Sequence, residues 1–487
     1  MISRKEKTMS KQDFLHILPL FILTSASILI LFSIAVKRNH KVIYVITALS
    51  LLADFIFLHE VDTSTKWTIE PLFIFDGFGK FNVGLILLTS LAITMLSYAY
   101  FEQREERKEE YYILLILATL GSAALVISKH FVSLFLGLEI LSVSLYSMIA
   151  YLRKRHRSDE AGLKYLIMAA FSSAFLLFGM ALVYVVTGSL QFSGIGEYLK
   201  THETMPLLLF AGIGLMVVGV GFKLSVVPFH LWAADVYEGA PAPVTAFIAT
   251  VSKGGMVVFL VRFFQEAGGA NYSSTIFTVI AIASMFVGNI LALQQKNVKR
   301  ILAYSSIAHL GYLLVAFLAG GTLGAEAVSF YLVAYFLTTT GAFGILVTLS
   351  DKERDAEQIE DYRGLFWRRP LTAAIFTAML LSLAGIPLTA GFVGKFYIVA
   401  AGVNSSHWLL VIMLALNSAI GLYYYIKLVA VMFQKELESK ARTEVPLSPS
   451  VFIVSGVTLG GLVSLLLWIG IYPDTLIVII KELLIVN

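Results

Sequence analysis

The chain has 487 residues, 58% of them hydrophobic and 14% charged, with a formal net charge of +4. A water-soluble globular chain is only about half apolar and about a quarter charged, so this composition excludes a soluble fold and makes lipid the main solvent. The basic residues fall in short clusters between apolar runs, which excludes a nucleic-acid-binding stripe. The absence of cysteine excludes disulfides, thiol chemistry and cysteine-ligated iron–sulfur clusters within the chain.

A membrane-spanning helix needs about 20 mostly apolar residues. Fourteen runs fit that description, at about 14–36, 42–59, 78–100, 111–128, 131–151, 162–187, 205–231, 242–264, 273–293, 300–319, 327–350, 371–398, 407–433 and 450–472. Residues 1–13 are polar and basic. The first run lacks a small-residue cleavage site and reads as a span, not as a signal peptide. The tail from Pro473 is short and amphipathic and reads as interfacial. No connection is long enough to form a soluble domain. The glycine pattern at Gly212 and Gly214 lies inside an apolar span, so it cannot be a dinucleotide-binding turn. No cofactor is therefore expected in this chain. Loops after odd-numbered runs carry 22 Lys and Arg residues against 4 in the even-numbered loops. By the positive-inside rule the odd loops face the cytoplasm and both termini face outside.

Two spans carry internal breakers. The seventh has Pro228 shortly after Lys223, and the twelfth has Gly385-Ile-Pro387 followed by Gly391, Gly394 and Lys395. Interrupted spans five positions apart suggest two five-helix units, spans 4–8 and 9–13, and discontinuous helices in matching positions point to an ion path. The expected division is 1–110 for three N-terminal helices, 111–264 and 265–434 for the two units, and 435–487 for a last helix and tail.

A charge at the bilayer centre costs about 2.5–3.5 kcal/mol on insertion scales, so charges inside spans carry information. Glu139 falls near the middle of span five and is read as the one buried glutamate; Lys253 falls in the middle of span eight, and Lys223 and Lys395 adjoin the two breaks. An ammonium removed from water holds its proton less firmly, and a nearby carboxylate restores the hold. A row of such lysines beside Glu139 therefore suits proton transfer. His230 and His309 are weaker candidates for relays, because imidazole titrates near pH 6.5, and Lys164 at the start of span six is a candidate feed. Lys80 and Lys427 lie nearer span ends and read as snorkelling side chains.

The string from Phe222 to Phe247, FKLSVVPFHLWAADVYEGAPAPVTAF, resembles the antiporter-like, proton-conducting subunits of respiratory complex I and the related Mrp-type cation/proton antiporters. Gly137-Leu-Glu139, Ser252-Lys253, Gly391-Phe-Val-Gly-Lys395 and Asn297-Val-Lys-Arg-Ile-Leu-Ala-Tyr-Ser-Ser306 also match. The stretch Asp235–Pro243 looks like the N branch of that family; the L and M branches differ there, and the M branch has glutamate where this chain has Lys395. The resemblance implies an all-α polytopic membrane protein of about fourteen helices, with two inverted five-helix repeats and helices 7 and 12 broken. It implies a pairing of Glu139 with Lys223, a central Lys253 and an exit-side Lys395. It also implies a bacterial inner-membrane location among other complex I membrane-arm subunits, with NADH oxidation and quinone reduction carried by other chains. A Mrp-type antiporter subunit is the alternative.

Overall fold

The computed structural model describes residues 11–63, 66–104, 107–202, 205–268, 270–435 and 449–485. Lys440 and Arg442, two of the orientation charges, lie outside the described residues.

The long apolar runs become helices because only a helix satisfies its own backbone within lipid. In chain order these are α1 (Lys11–Val36), α2 (His40–His59), α3 (Gly77–Glu102), α4 (Glu110–Val126), α5 (Phe131–Ile149) and α6 (His156–Thr187). A short amphipathic α7 (Phe192–Thr201) precedes α8 (Leu207–Leu224), α9 (Leu231–Gly239), α10 (Ala242–Phe247) and α11 (Lys253–Ala267). The remainder are α12 (Ala270–Leu293), α13 (Val298–Ala319), α14 (Gly321–Leu349), α15 (Leu365–Arg368), α16 (Pro370–Ala384), α17 (Ala390–Asn404), α18 (Trp408–Phe433), α19 (Pro449–Ile471) and α20 (Asp474–Ile485). Twelve helices among the described residues are long and apolar enough to cross a membrane. To these are added α4, of 17 residues, and the two 15-residue halves α16 and α17.

Both expected interruptions are present. α8 ends at Leu224, and Ser225 turns left-handed at φ 54°, with Val226 N donating back to Gly221 O over 3.0 Å. α16 ends at Gly385 (φ 85°), and the chain re-enters helix at Thr389, whose side chain caps α17. Glycine at the first of these left-handed positions of the second break avoids the Cβ penalty. A third interruption has no counterpart in the sequence reading. Ile248–Ser252 form a π-helical turn between α10 and α11, immediately before Lys253.

A two-stranded hairpin, Trp67–Ile69 paired antiparallel with Phe73–Phe75, is also absent from the sequence reading. Ile74 N donates to Ile127 O over 2.8 Å and Lys129 N to Leu72 O over 3.1 Å, so the hairpin ties the α2–α3 connection to the α4–α5 turn.

The span made of α10, the π turn and α11 is wholly enclosed, while only a third of the apolar window in α1 and α6 is buried. An evenly apolar helix belongs at the centre, and α13 and α14 flank it there. Close helix pairs occur at matching places in the two proposed units. α4 meets α5 where a Cβ on Gly121 would stand 2.6 Å from Gly137 O. α12 meets α13 where a Cβ on Gly311 would stand 2.9 Å from Ala281 O. Small residues permit such approach between membrane helices.

Several basic residues that the sequence reading used only as orientation signals are buried ion-pair partners. Asp355 forms ion pairs with Lys299, Arg155 and Arg104 and accepts from Tyr100 OH at 2.7 Å. These residues come from four odd-numbered connections or the helix ends beside them, so those connections share one face. On the even-loop side, Arg262 donates from both terminal nitrogens to Asp76, each over 2.8 Å, and from Nε to Val126 O over 2.9 Å. Asp76 also caps α3 at Gly79 N. Lys129 pairs with Glu70 on that same side.

Two stability predictions follow from these anchors. Arg262→Leu leaves the Asp76 carboxylate buried and unpaired, a loss of about 3–5 kcal/mol. Thermal melting of the purified assembly should show a lowered transition, partly recovered by adding Asp76→Asn. Burial alone would raise the Asp355 pKa, but Lys299, Arg155 and Arg104 outweigh it and hold the carboxyl far below the usual range. A depressed native pKa gives stability that is full above the unfolded value of about 3.9 and is lost only as pH falls toward the native one. The melting gap between wild type and Asp355→Asn should therefore stay flat between about pH 5 and pH 8. A gap that closes toward pH 5 would contradict it.

Candidate functional site

Lys223, Lys253 and Lys395 are 3%, 1% and 8% exposed, and no carboxylate among the described residues forms an ion pair with any of them. Each ammonium is instead held by hydroxyls or backbone carbonyls at a helix interruption.

Lys223 lies in the last turn of α8. Its Nζ donates to Ser142 Oγ on α5 at 2.6 Å and to Tyr165 OH on α6 at 3.1 Å, and it stands 5.2 Å from the Tyr165 ring centre. Glu139 is one turn from Ser142 on α5 and does not pair with Lys223. It accepts from Ser173 Oγ at 2.7 Å. Glu139 is half-buried, and its neighbours Leu136 and Val143 are exposed, so this carboxylate sits on an outward face of the chain. The expectation of one enclosed glutamate needs correction. Glu326, near the start of α14, is more buried, and Asp54 in α2 is fully buried with no hydrogen-bond partner on either oxygen.

Lys253 follows the π turn. Its Nζ donates to Ser306 Oγ on α13 at 2.7 Å, and the Tyr237 ring lies 5.3 Å away. Tyr237 OH is 3.4 Å from the same Ser306 Oγ. One residue along α13, Ser305 Oγ meets Tyr425 OH at 2.5 Å. Tyr425 OH also meets His309 Nε2 at 3.1 Å, and His309 Nδ1 meets Tyr331 OH at 2.5 Å. His309 is thus enclosed among Tyr331, Tyr335, Tyr312 and Tyr425. Tyr335 OH and Thr339 Oγ1, on the facing side of α14, are buried without well-formed hydrogen bonds.

Lys395 stands on α17, but its Nζ reaches back across the break. It donates to Leu383 O at 3.0 Å, to Ala384 O at 2.9 Å and to Ser418 Oγ on α18 at 2.8 Å. Those two carbonyls belong to the last residues of α16, where a helix has no internal donors left and carries partial negative charge. The Tyr312 ring stands 5.2 Å from Lys395 Nζ and 5.4 Å from the His309 ring.

α9 joins the first two lysines. The Trp232 ring on it lies tilted against that of Tyr165, whose hydroxyl binds Lys223, with centroids 4.9 Å apart, and Tyr237 on it faces Lys253. Its polar residues point to a surface strap instead. Asp235 pairs with Arg300 and Lys164, and Glu238 pairs with Arg300 and Arg157. Gly239 fits where a Cβ would stand 2.5 Å from Arg157 O.

Of the residues singled out in the sequence, Lys253 and His309 share the α13 polar interior, Lys395 borders it through Tyr312, and Lys223 joins it through α9. Lys164 is apart from them, in the surface strap and also paired with Glu160. His230 is buried beside the α8 break with Nδ1 unpartnered, and no hydrogen bond joins it to the lysines. Sequence reasoning missed Ser142, Tyr165, Tyr237, Ser306, Ser418 and Tyr425. Hydroxyl residues at helical spacing inside apolar spans were their only signal. No group of three or more His, Cys, Asp or Glu side chains placed to hold a metal occurs among the described residues.

Residues 128–421 match the family described as NADH:quinone oxidoreductase/Mrp antiporter, transmembrane region. NADH-quinone oxidoreductase subunit N of Ectopseudomonas mendocina is 43% identical over 485 residues, covering 97% of this chain and 96% of that one. Among solved structures, a chain of respiratory complex I from Thermus thermophilus is 31% identical, with a TM-score of 0.79 over 94% of this chain and 98% of that one. A chain of the Mrp complex from a Dietzia species shares the fold at 19% identity, with a TM-score of 0.85 over 98% of each. By the family match and by this identity over almost its whole length, the chain belongs to the NADH:quinone oxidoreductase/Mrp antiporter family of membrane proteins.

Proposed function

We propose that this chain is a membrane-arm subunit of a proton-translocating NADH:quinone oxidoreductase, and that Glu139, Lys223, Lys253 and Lys395 carry the proton. The observation that bears the most weight is the set of three buried ammonium groups without carboxylate partners, each bonded to neutral groups at a helix interruption. A structural ion pair would neutralise its charge; these lysines are left with their proton as the quantity that can change. His309 and its tyrosines lie between Lys253 and Lys395 as a relay. Tyr335 and Thr339 add buried hydroxyls that solvent can satisfy.

Glu139 sets the charge felt at Lys223 from one turn of α5 away from Ser142, the hydroxyl to which Lys223 donates. Its outward placement suits control from an adjoining membrane-arm subunit. The 43% identity to an NADH-quinone oxidoreductase subunit favours this reading over an antiporter, whereas the Mrp likeness is one of fold. Two five-helix units, residues 111–264 and 265–434, are supported by the paired interruptions. The shared face of the odd loops supports their cytoplasmic placement in a bacterial inner membrane, with both termini outside. The chain holds no redox centre, and electrons pass through other subunits.

Two measurements test the assignment. Lys253→Ala should lower coupled proton uptake into vesicles by at least about tenfold, the effect of about 1.4 kcal/mol on a barrier, while the assembly and its NADH oxidation by an artificial acceptor persist. Wild-type proton stoichiometry in that variant would remove Lys253 from the path. Glu139→Gln keeps an acceptor for Ser173 and removes only the charge. It should slow coupled turnover, with Glu139→Asp restoring part of it, whereas Ser173→Ala should leave turnover near wild type.

A further inference from the structure

Away from the lysines, a long apolar groove runs down one flank of the bundle between α2, α3, α14, α19 and α20. It encloses about 570 Å³, within the ~300–1,000 Å³ of ordinary ligand pockets. Leu85, Leu88, Met95, Leu337, Leu462 and Leu465 are among its walls. At one end it opens into a second cavity of about 470 Å³, the two sharing His59, Lys80 and Leu483. There the lining turns polar, with Glu60, Asp62 and Glu482 beside Lys80. His59 ends α2 and Lys80 lies in the first turn of α3. The polar mouth therefore sits at helix ends, at the level of lipid headgroups.

We propose that groove and mouth together hold one zwitterionic aminophospholipid as a resident ligand. The acyl chain fills the apolar groove. Lys80 Nζ already donates to His59 O at 3.2 Å and Val61 O at 2.6 Å, and the third N–H of an ammonium remains for a phosphate oxygen. Glu60 and Glu482 line the mouth where the lipid's ammonium would sit. Carboxylates beside a single lysine select against a headgroup carrying negative charge alone, which separates this ligand from anionic phospholipids. The inner wall gives the lipid a structural consequence. Phe336 lines the groove and lies against Gly254, where an added Cβ would meet its ring, and Gly254 adjoins Lys253.

The test uses the purified assembly containing this chain. Gly461→Leu fills the groove without collision, since a Cβ there meets nothing within 4 Å. Leu88→Trp fills it from the opposite wall, where Leu88 is already exposed. Bound lipid is measured by native mass spectrometry after detergent washing, and melting is measured on adding vesicles of phosphatidylethanolamine or phosphatidylglycerol. Wild type should retain one aminophospholipid that both variants lose. Its melting should rise with phosphatidylethanolamine alone, and Lys80→Gln should weaken retention several-fold. Equal retention in wild type and both filled variants, a response to phosphatidylglycerol alone, or cross-linking of a photoreactive side chain at position 88 to another subunit would overturn the proposal.

Discussion

The rest of the structure depends on the cost of an ammonium in lipid. A buried lysine must be met inside the protein, and regular helices have no backbone acceptors to spare. This chain meets Lys223 and Lys253 with serine and tyrosine hydroxyls, and Lys395 by interrupting a helix. Lys395 takes the last carbonyls of α16, freed because the helix stops at Gly385. Lys223 occupies the last turn of α8, at the negative end of that helix's dipole. Lys253 follows a π turn, a widened stretch of helix frequent at functional sites. The breaks and the lysines are therefore one design. Lys395 draws its acceptors from the break itself, whereas Lys223 and Lys253 stand beside theirs and are met by hydroxyls of neighbouring helices.

α9 explains why a nine-residue helix carries so dense a sequence string. It must reach Tyr165 and Lys253 on different sides, so Trp232 and Tyr237 stand five residues, about 140°, apart around the helix. Its acidic face must hold the surface strap, so Asp235 and Glu238 stand three apart, as neighbours on one helix face. Gly239 must admit the first turns of α6 at close range. A shift of α9 would move the surroundings of two lysines together. The strap from Lys164 through Arg300 to Arg157 is what fixes it.

Much of this was legible in the sequence, because lipid punishes charge and rewards long apolar runs. The helices, the breaks at Pro228 and Gly385, and the burial of Lys223, Lys253 and Lys395 follow from that rule alone. What was not legible has a common cause. Serine and tyrosine inside a span are cheap enough to pass as ordinary, so Ser142, Ser306, Ser418 and Tyr237 were marked only by helical spacing until their partners were seen. Arg262 and Lys299 near helix ends looked like orientation charges, since burial is invisible without the Asp76 and Asp355 that meet them. The π turn leaves no composition of its own. The hairpin at Trp67–Phe75 is too short to show a strand period.

The balance of charge points beyond the chain. Three interior ammonium groups face neutral partners, and the carboxylate that most affects Lys223 lies half-exposed on an outer face of α5. If Glu139 were enclosed, its influence on Lys223 would be fixed by this chain's own packing. Because it is bordered by exposed Leu136 and Val143, whatever docks on that face changes the dielectric and the charge around it. On the proposed reading, a neighbouring membrane-arm subunit could alter the first lysine without touching it, and α9, which contacts the surroundings of both lysines, would link the first to the second. The lysine row is, on that reading, half of a device, and the outward face bearing Glu139 is where a neighbouring subunit would supply the other half.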